Sequence, residues 1–205
     1  MSSAPRSYSR GEFIVLMAML TSLIALSIDA ILPALPLIGR EYGMSDLNDT
    51  QYVIGVLFAG MAIGQMLFGP LSDTTGRKPM IYLGLAVFMA GSVLSLLAPT
   101  YELMLLGRFL QGFGASGPRV VTIAIVRDQF EGREMARIMS FIMAVFIMVP
   151  AIAPAMGQGV MYLFDWRSIF TSFFLLAAIS FVWFALRQPE TLQKAERKPF
   201  SPSQL

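Results

Sequence analysis

Three ionisable residues lie inside long apolar segments of the chain, where ionisable side chains are rare. They are Asp29, Arg108 and Arg119. A charged group at that depth in a membrane costs several kcal/mol unless it is paired or hydrated, so each is a candidate functional residue. The Asp29 carboxylate could take and release a proton or a cation. Alternatively, Asp29 and Arg108 could form a structural ion pair that only holds two helices together.

Helical spacing predicts how these residues are arranged. Asp29 and Arg108 lie about 13 and 8 Å from the outer ends of their segments, at 1.5 Å per residue, so their side chains could meet. Arg119 follows Arg108 by eleven residues, which places both arginines on one helix face. We expect this face to line a wet cavity, although Arg119 could instead extend towards the membrane interface.

Composition excludes most soluble enzyme classes. The chain has 205 residues, of which 56% are hydrophobic and 14% charged, against about 25% charged in soluble proteins. Histidine and cysteine are absent, so we expect no imidazole proton relay, no disulfide, no His or Cys metal site and no cofactor. The sequence also lacks the G-x-x-x-x-G-K-S/T phosphate loop of ATP-driven pumps.

Apolar runs of roughly 20 residues predict an all-α polytopic membrane protein. Six transmembrane helices are expected, at about residues 13–38, 52–71, 80–98, 103–126, 138–164 and 168–186. The polar flanks, residues 1–12 and 187–205, are expected to be an N-terminal tail and a C-terminal linker or tail.

The basic residues predict the orientation in the membrane. One set of loops and termini holds Arg6, Arg10, Arg77, Lys78, Arg127, Arg133, Arg137, Arg187, Lys194, Arg197 and Lys198. The opposite loops hold only Arg40 and Arg167. This positive-inside bias predicts that both termini are cytoplasmic, and it explains the net charge of +2 without nucleic-acid binding.

Prolines and glycines interrupt several spans. Pro33 and Pro36 follow Asp29 and should unwind or bend the outer end of the first span. The remaining candidate helix-bending residues are Pro118, Pro150, Pro154 and Gly157. Small residues around Gly112 could serve either ordinary tight packing or gating.

The loop between the second and third spans carries the most specific motif. Gly69, Leu71, Asp73, Gly76, Arg77 and Lys78 fit the pattern G-x-L-x-D-x-x-G-R-K. This pattern resembles the signature of the major facilitator superfamily.

Other stretches resemble the drug:proton antiporters of that superfamily, in the branch that confers bicyclomycin and chloramphenicol resistance. They include D-x-x-L-P from Asp29, R-x-x-Q-G-x-G from Arg108 and D-W-R from Asp165. The stretch from Pro154 to Gly159 resembles the fifth-helix antiporter motif but departs from its usual G-P-x-x-G-G pattern.

The resemblance implies a proton-coupled exporter of hydrophobic or cationic small molecules in a bacterial inner membrane. Asp29 would then couple protons, with Arg108 as its electrostatic partner and Arg119 on the same face. Asp73, Gly76 and Arg77 would form a cytoplasmic latch, with Asp128 as a possible partner of Arg77.

The superfamily fold has two six-helix halves, each made of two inverted three-helix repeats. This chain resembles the N-terminal half, so its expected partners are the lipid bilayer, protons, small molecules, and either a C-terminal half or a second copy in a homodimer. A half-size module that assembles with or regulates a partner, without transporting alone, is the alternative.

Overall fold

The computed structural model describes residues 9–197, and this part of the chain is helical. Its α-helices are α1 (Arg10–Asp29), α2 (Leu35–Glu41), α3 (Tyr52–Thr75), α4 (Arg77–Leu97), α5 (Tyr101–Gln129), α6 (Gly132–Leu163) and α7 (Ser168–Arg187). Together α1 and α2 form the first of six segments that are long and apolar enough to cross a membrane, and α3 to α7 form the others. The prediction of six spans is confirmed.

Most helices extend beyond the apolar runs that predicted them. The fifth span begins at Gly132 rather than near residue 138, and the fourth ends at Gln129 rather than near residue 126. Hydropathy marks only the hydrocarbon depth, whereas a helix continues until its end groups are capped. At the start of α1, for example, the Ser9 hydroxyl accepts a hydrogen bond of 3.1 Å from the Glu12 amide.

Pro33 divides the first span directly after Asp29. A 3₁₀ turn at Leu32–Ala34 separates α1 from α2. Pro33 has no amide hydrogen, so it makes no hydrogen bond back to the Asp29 carbonyl. Pro36 lies in the first turn of α2, where a missing amide hydrogen costs little. By contrast, α5 and α6 continue without interruption through Pro118, Pro150 and Pro154.

The helix α5 lies at the centre of the bundle because its glycines admit two neighbouring backbones. A side chain at Gly112 would strike the backbone carbonyl of Leu57 in α3. One at Gly114 would strike the backbone of Phe88 in α4. The glycines of α5 therefore serve close packing on opposite sides, one of the two roles that the sequence left open.

Gly112→Ala should destabilise the bundle. The added methyl group meets backbone atoms, which have little freedom to move, and overpacking of this kind costs about 1–3 kcal/mol. Gly55→Ala in α3 is the matched control, because no atom lies within 4 Å of its added carbon. Melting of the purified variants in detergent should show a lower midpoint for Gly112→Ala alone. Equal midpoints would contradict this account of α5.

Charged side chains join the helices at one end of the bundle, which we call the loop side because it carries the α3–α4 loop. There Arg10 forms an ion pair with Glu134 at 3.1 Å, and Arg187 pairs with Glu12 at 2.9 Å. These contacts connect the starts of α1 and α6 and the end of α7. At the opposite end, Arg167 pairs with Glu41 and donates to the Ala98 carbonyl at 3.1 Å.

Candidate functional site

Asp29 is the last residue of α1 and is partly exposed. Within residues 9–197 its carboxylate has no hydrogen bond and no ion pair. The backbone after it is held tightly, because Gly157 of α6 packs against the carbonyl of Ala30 with no room for a side chain. The structure therefore fixes the backbone beside Asp29 and leaves its carboxylate without a partner among residues 9–197.

Arg108 is fully buried in the half-bundle. Its Nε donates to the Val53 carbonyl at 3.1 Å, and its terminal nitrogens donate to Gln111 Oε1 at 2.8 Å and to the Ser27 carbonyl at 2.7 Å. The guanidinium carbon also lies 6.0 Å from the centre of the Phe170 ring. One side chain of α5 thus contacts α1, α3 and α7.

The expected contact between Asp29 and Arg108 is not formed. Arg108 instead binds the backbone at Ser27, two residues earlier in the same helix. Two residues advance a helix by about 200°, so the sides of α1 at Ser27 and Asp29 face nearly opposite directions. The buried side faces α5, and Asp29 lies on the other side.

The expectation that Arg108 and Arg119 together line a wet cavity is also wrong. Arg108 is enclosed, whereas Arg119 is partly exposed and its guanidinium carbon lies 4.6 Å from the centre of the Phe146 ring in α6. A cation over an aromatic face is attracted by the ring electrons. Eleven helical steps do place both residues in one broad sector of α5, but packing encloses one residue and leaves the other at the α6 boundary.

Sequence reasoning missed the polar residues that extend the Arg108 network into α4. Gln111 donates to the Ser92 hydroxyl at 2.8 Å, and Ser92 donates to the Phe88 carbonyl at 2.9 Å. Both Gln111 and Ser92 are fully buried. Gln111 lies in the R-x-x-Q stretch, so its spacing from Arg108 was the available signal, since residues three apart share a helix face.

The loop motif forms a second cluster, built around a single connecting residue. Gly76 joins α3 to α4 with a backbone φ of +110°, a conformation that favours glycine. Arg77 follows at the start of α4 and is 8% exposed. Its guanidinium bonds to Asp73 at 2.5 Å, to the Ser72 hydroxyl at 2.7 Å and to Asp128 at 3.0 Å.

The other motif residues have simpler surroundings. Lys78 Nζ donates to the Ala185 carbonyl of α7 at 3.2 Å. The Leu71 carbonyl accepts a hydrogen bond of 2.7 Å from the Thr75 hydroxyl. A side chain at Gly69 would meet Val120 only at 3.7 Å, which is ordinary van der Waals contact. Packing inside this half therefore does not require glycine at position 69.

Glu190, just beyond α7, completes this cluster and was not anticipated from the sequence. Its carboxylate accepts hydrogen bonds from the backbone amides of Arg77 at 2.9 Å and Lys78 at 3.0 Å. These bonds cap the start of α4. The neighbouring Thr191 hydroxyl donates to Asp128 at 3.0 Å. The start of the expected C-terminal linker or tail is thus bound to the loop, while residues 198–205 lie outside the described residues.

Replacing Arg77 should destabilise the loop side. Arg77→Gln leaves the carboxylates of Asp73 and Asp128 without their shared cation, and breaking a buried ion pair costs about 3–5 kcal/mol. Asp73 is 42% exposed at its side chain, so we expect a loss at the lower end of that range.

Lys78→Gln is the matched control for Arg77→Gln. It removes the same charge from the next residue but only one hydrogen bond to a carbonyl. Chemical or thermal unfolding of the purified variants should separate the two clearly. A similar loss in both variants would show that Arg77 is no more important to the fold than a surface charge.

Six membrane-spanning segments with a charged network on the loop side define a polytopic helical membrane protein. The sequence matches the model of the Major Facilitator Superfamily over residues 17–204, and the chain belongs to that superfamily. This confirms the family that the loop motif predicted.

Named relatives and a solved structure agree with this membership. The chain is 33% identical over 199 residues to the uncharacterized MFS-type transporter YdgK of Bacillus subtilis, covering 96% of this chain and 49% of YdgK. It is 36% identical over 159 residues to the multidrug resistance protein MdtL of Escherichia coli, covering 78% of this chain and 40% of MdtL. The crystal structure of the human organic anion transporter MFSD10 superposes with a TM-score of 0.70 at 20% identity, covering 96% of this chain and 51% of MFSD10.

The chain spans about half the length of the curated relatives it matches. Its fold is the six-helix half of a major facilitator transporter, as the sequence predicted. Membership of this superfamily supports a transporter role.

Proposed function

We propose that this chain is the N-terminal half of a proton-coupled exporter of hydrophobic or cationic small molecules. The observation that carries the proposal is the Asp29 carboxylate, which lies inside the first span without an ion pair among residues 9–197. A carboxylate that is not fixed in an ion pair remains able to bind either a proton or a cation. Similarity to a relative named as a multidrug resistance protein supports the drug-export class.

In the proposed mechanism, one residue binds the proton or substrate and another holds the helix that carries it. Asp29 binds the proton or the cationic substrate at the break between α1 and α2. Arg108 acts on Asp29 indirectly, because its bond to the Ser27 carbonyl positions the end of α1, two residues before Asp29. Arg119 contributes a cation next to Phe146 at the boundary with α6.

The loop cluster would act as the latch between the two halves. Gly69 supports this role, because among the described residues a side chain there would meet no atom closer than 3.7 Å. A close approach from the missing half, or from a second copy in a homodimer, would account for the glycine. Both termini would be cytoplasmic, with the loop side facing the cytoplasm of a bacterial cell.

Reconstitution of the complete transporter that contains this half tests the proposal. Proteoliposomes with an acidic interior and a pH-sensitive dye should lose protons faster when ethidium, a hydrophobic cation, is added outside. The same vesicles should accumulate ethidium only while the pH gradient lasts. Ethidium movement that is independent of the pH gradient, with no proton release, would contradict proton-coupled antiport.

A further inference from the structure

A cavity of about 430 Å³ opens on the loop side between the starts of α1 and α6. Its volume lies within the range of about 300–1,000 Å³ that ligand sites typically have. It is separate from the Arg77 cluster and from Asp29. Its wall contains three arginines, Arg10, Arg133 and Arg137, and one acidic residue, Glu134.

The charges of this cavity are only partly compensated within the protein. Glu134 pairs with Arg10 at 3.1 Å. In the part of the chain that the structure describes, neither Arg133 nor Arg137 has an ion pair or a hydrogen bond from its side chain, and both are exposed. Two guanidinium groups are therefore free to bind an anion. Their planar sets of donors match the oxygens of a phosphate group.

The remainder of the cavity is apolar. Ile14 and Ile138 line its inner wall, and Phe141 lies at its edge, 49% exposed, with the Arg137 guanidinium carbon 5.9 Å from the centre of its ring. A row of exposed apolar side chains continues from this edge along one side of α6: Val145, Met148, Ile152 and Met156. Their spacing of three or four residues forms one stripe on the helix.

A cationic cavity followed by an apolar stripe fits a molecule with a phosphate at one end and hydrocarbon at the other. We propose that this cavity binds the phosphate of an anionic phospholipid of the leaflet on the loop side, with an acyl chain along the stripe of α6. Basic pockets at the ends of membrane helices are suited to anionic headgroups. A free phosphate would use the arginines but not the stripe.

Native mass spectrometry of the purified protein in a neutral detergent tests this proposal. The probes are dioleoyl phosphatidylglycerol, dioleoyl phosphatidylcholine and inorganic phosphate. We expect one phosphatidylglycerol to be retained per half-bundle, and phosphatidylcholine to bind much more weakly. The double variant Arg133→Gln with Arg137→Gln should bind phosphatidylglycerol about 25-fold more weakly, at a factor of about five for each basic side chain.

The matched control removes two exposed charges from the same side of the bundle, outside the cavity: Arg127→Gln with Lys194→Gln. It should retain the affinity of the unaltered protein for phosphatidylglycerol. An equal loss in both double variants, or equal binding of the two lipids, would overturn the proposal. Displacement of phosphatidylglycerol by millimolar inorganic phosphate would overturn the lipid assignment and identify a free phosphate as the ligand. None of these measurements depends on proton coupling or on the transported substrate.

Discussion

Asp29→Asn should abolish proton-coupled transport by the complete transporter and leave the stability of the bundle unchanged. Asparagine keeps the size and polarity of the side chain but cannot ionise. No histidine occurs in the sequence to replace it as a proton carrier in the neutral pH range. The carboxylate has no partner in residues 9–197, so the substitution breaks no contact.

The experiment measures coupling directly. Ethidium-driven proton release should fall to the level of empty vesicles, and any ethidium movement that remains should be independent of the pH gradient. Asp29→Glu should retain partial coupling, since it keeps the ionisable group and displaces it by one methylene. Glu102→Gln, at the start of α5 and outside hydrocarbon depth, is the control and should be fully coupled. Normal coupling in Asp29→Asn would eliminate Asp29 as the proton carrier.

Arg108→Met should destabilise the half-bundle strongly, even though it removes a buried charge. Three hydrogen bonds from the guanidinium are lost, each worth about 1.5–3 kcal/mol when the donor is charged. The substitution also removes the desolvation cost of a buried ion, which is several kcal/mol. The two effects oppose each other, and we expect a net loss of about 2–4 kcal/mol because Gln111 Oε1 is left buried without its donor.

Arg108→Lys should fall between the original protein and Arg108→Met. A lysine keeps the charge, but its single nitrogen is unable to span α1, α3 and Gln111 as the guanidinium does. Unfolding midpoints in detergent measure the three proteins directly. Because Arg108 does not bind the carboxylate, its effects and those of Asp29→Asn should add in the double variant. Recovery of stability in that double variant would restore the ion-pair interpretation that the structure contradicts.

Local sequence was sufficient for the architecture. Six apolar segments are long enough to cross a bilayer. Each must be helical there, because an unpaired backbone group is too costly in hydrocarbon. Pro33 determines the break after Asp29, since it lacks an amide hydrogen. The motif residues Asp73, Gly76 and Arg77 predicted the family because their types and spacing, within one short connection between two helices, match the superfamily signature.

Tertiary packing decided which partners the charged residues have. Arg108 reaches Ser27 rather than Asp29 because α1 turns its buried side to α5, and hydropathy did not specify that rotation. Glu190 caps α4 although it lies 113 residues beyond Arg77 in the chain. The cavity formed by Arg10, Arg133 and Arg137 exists only because the starts of α1 and α6 lie side by side. Spacing along one helix fixes relations within that helix, whereas the rotation and neighbours of each helix depend on how all its faces pack together.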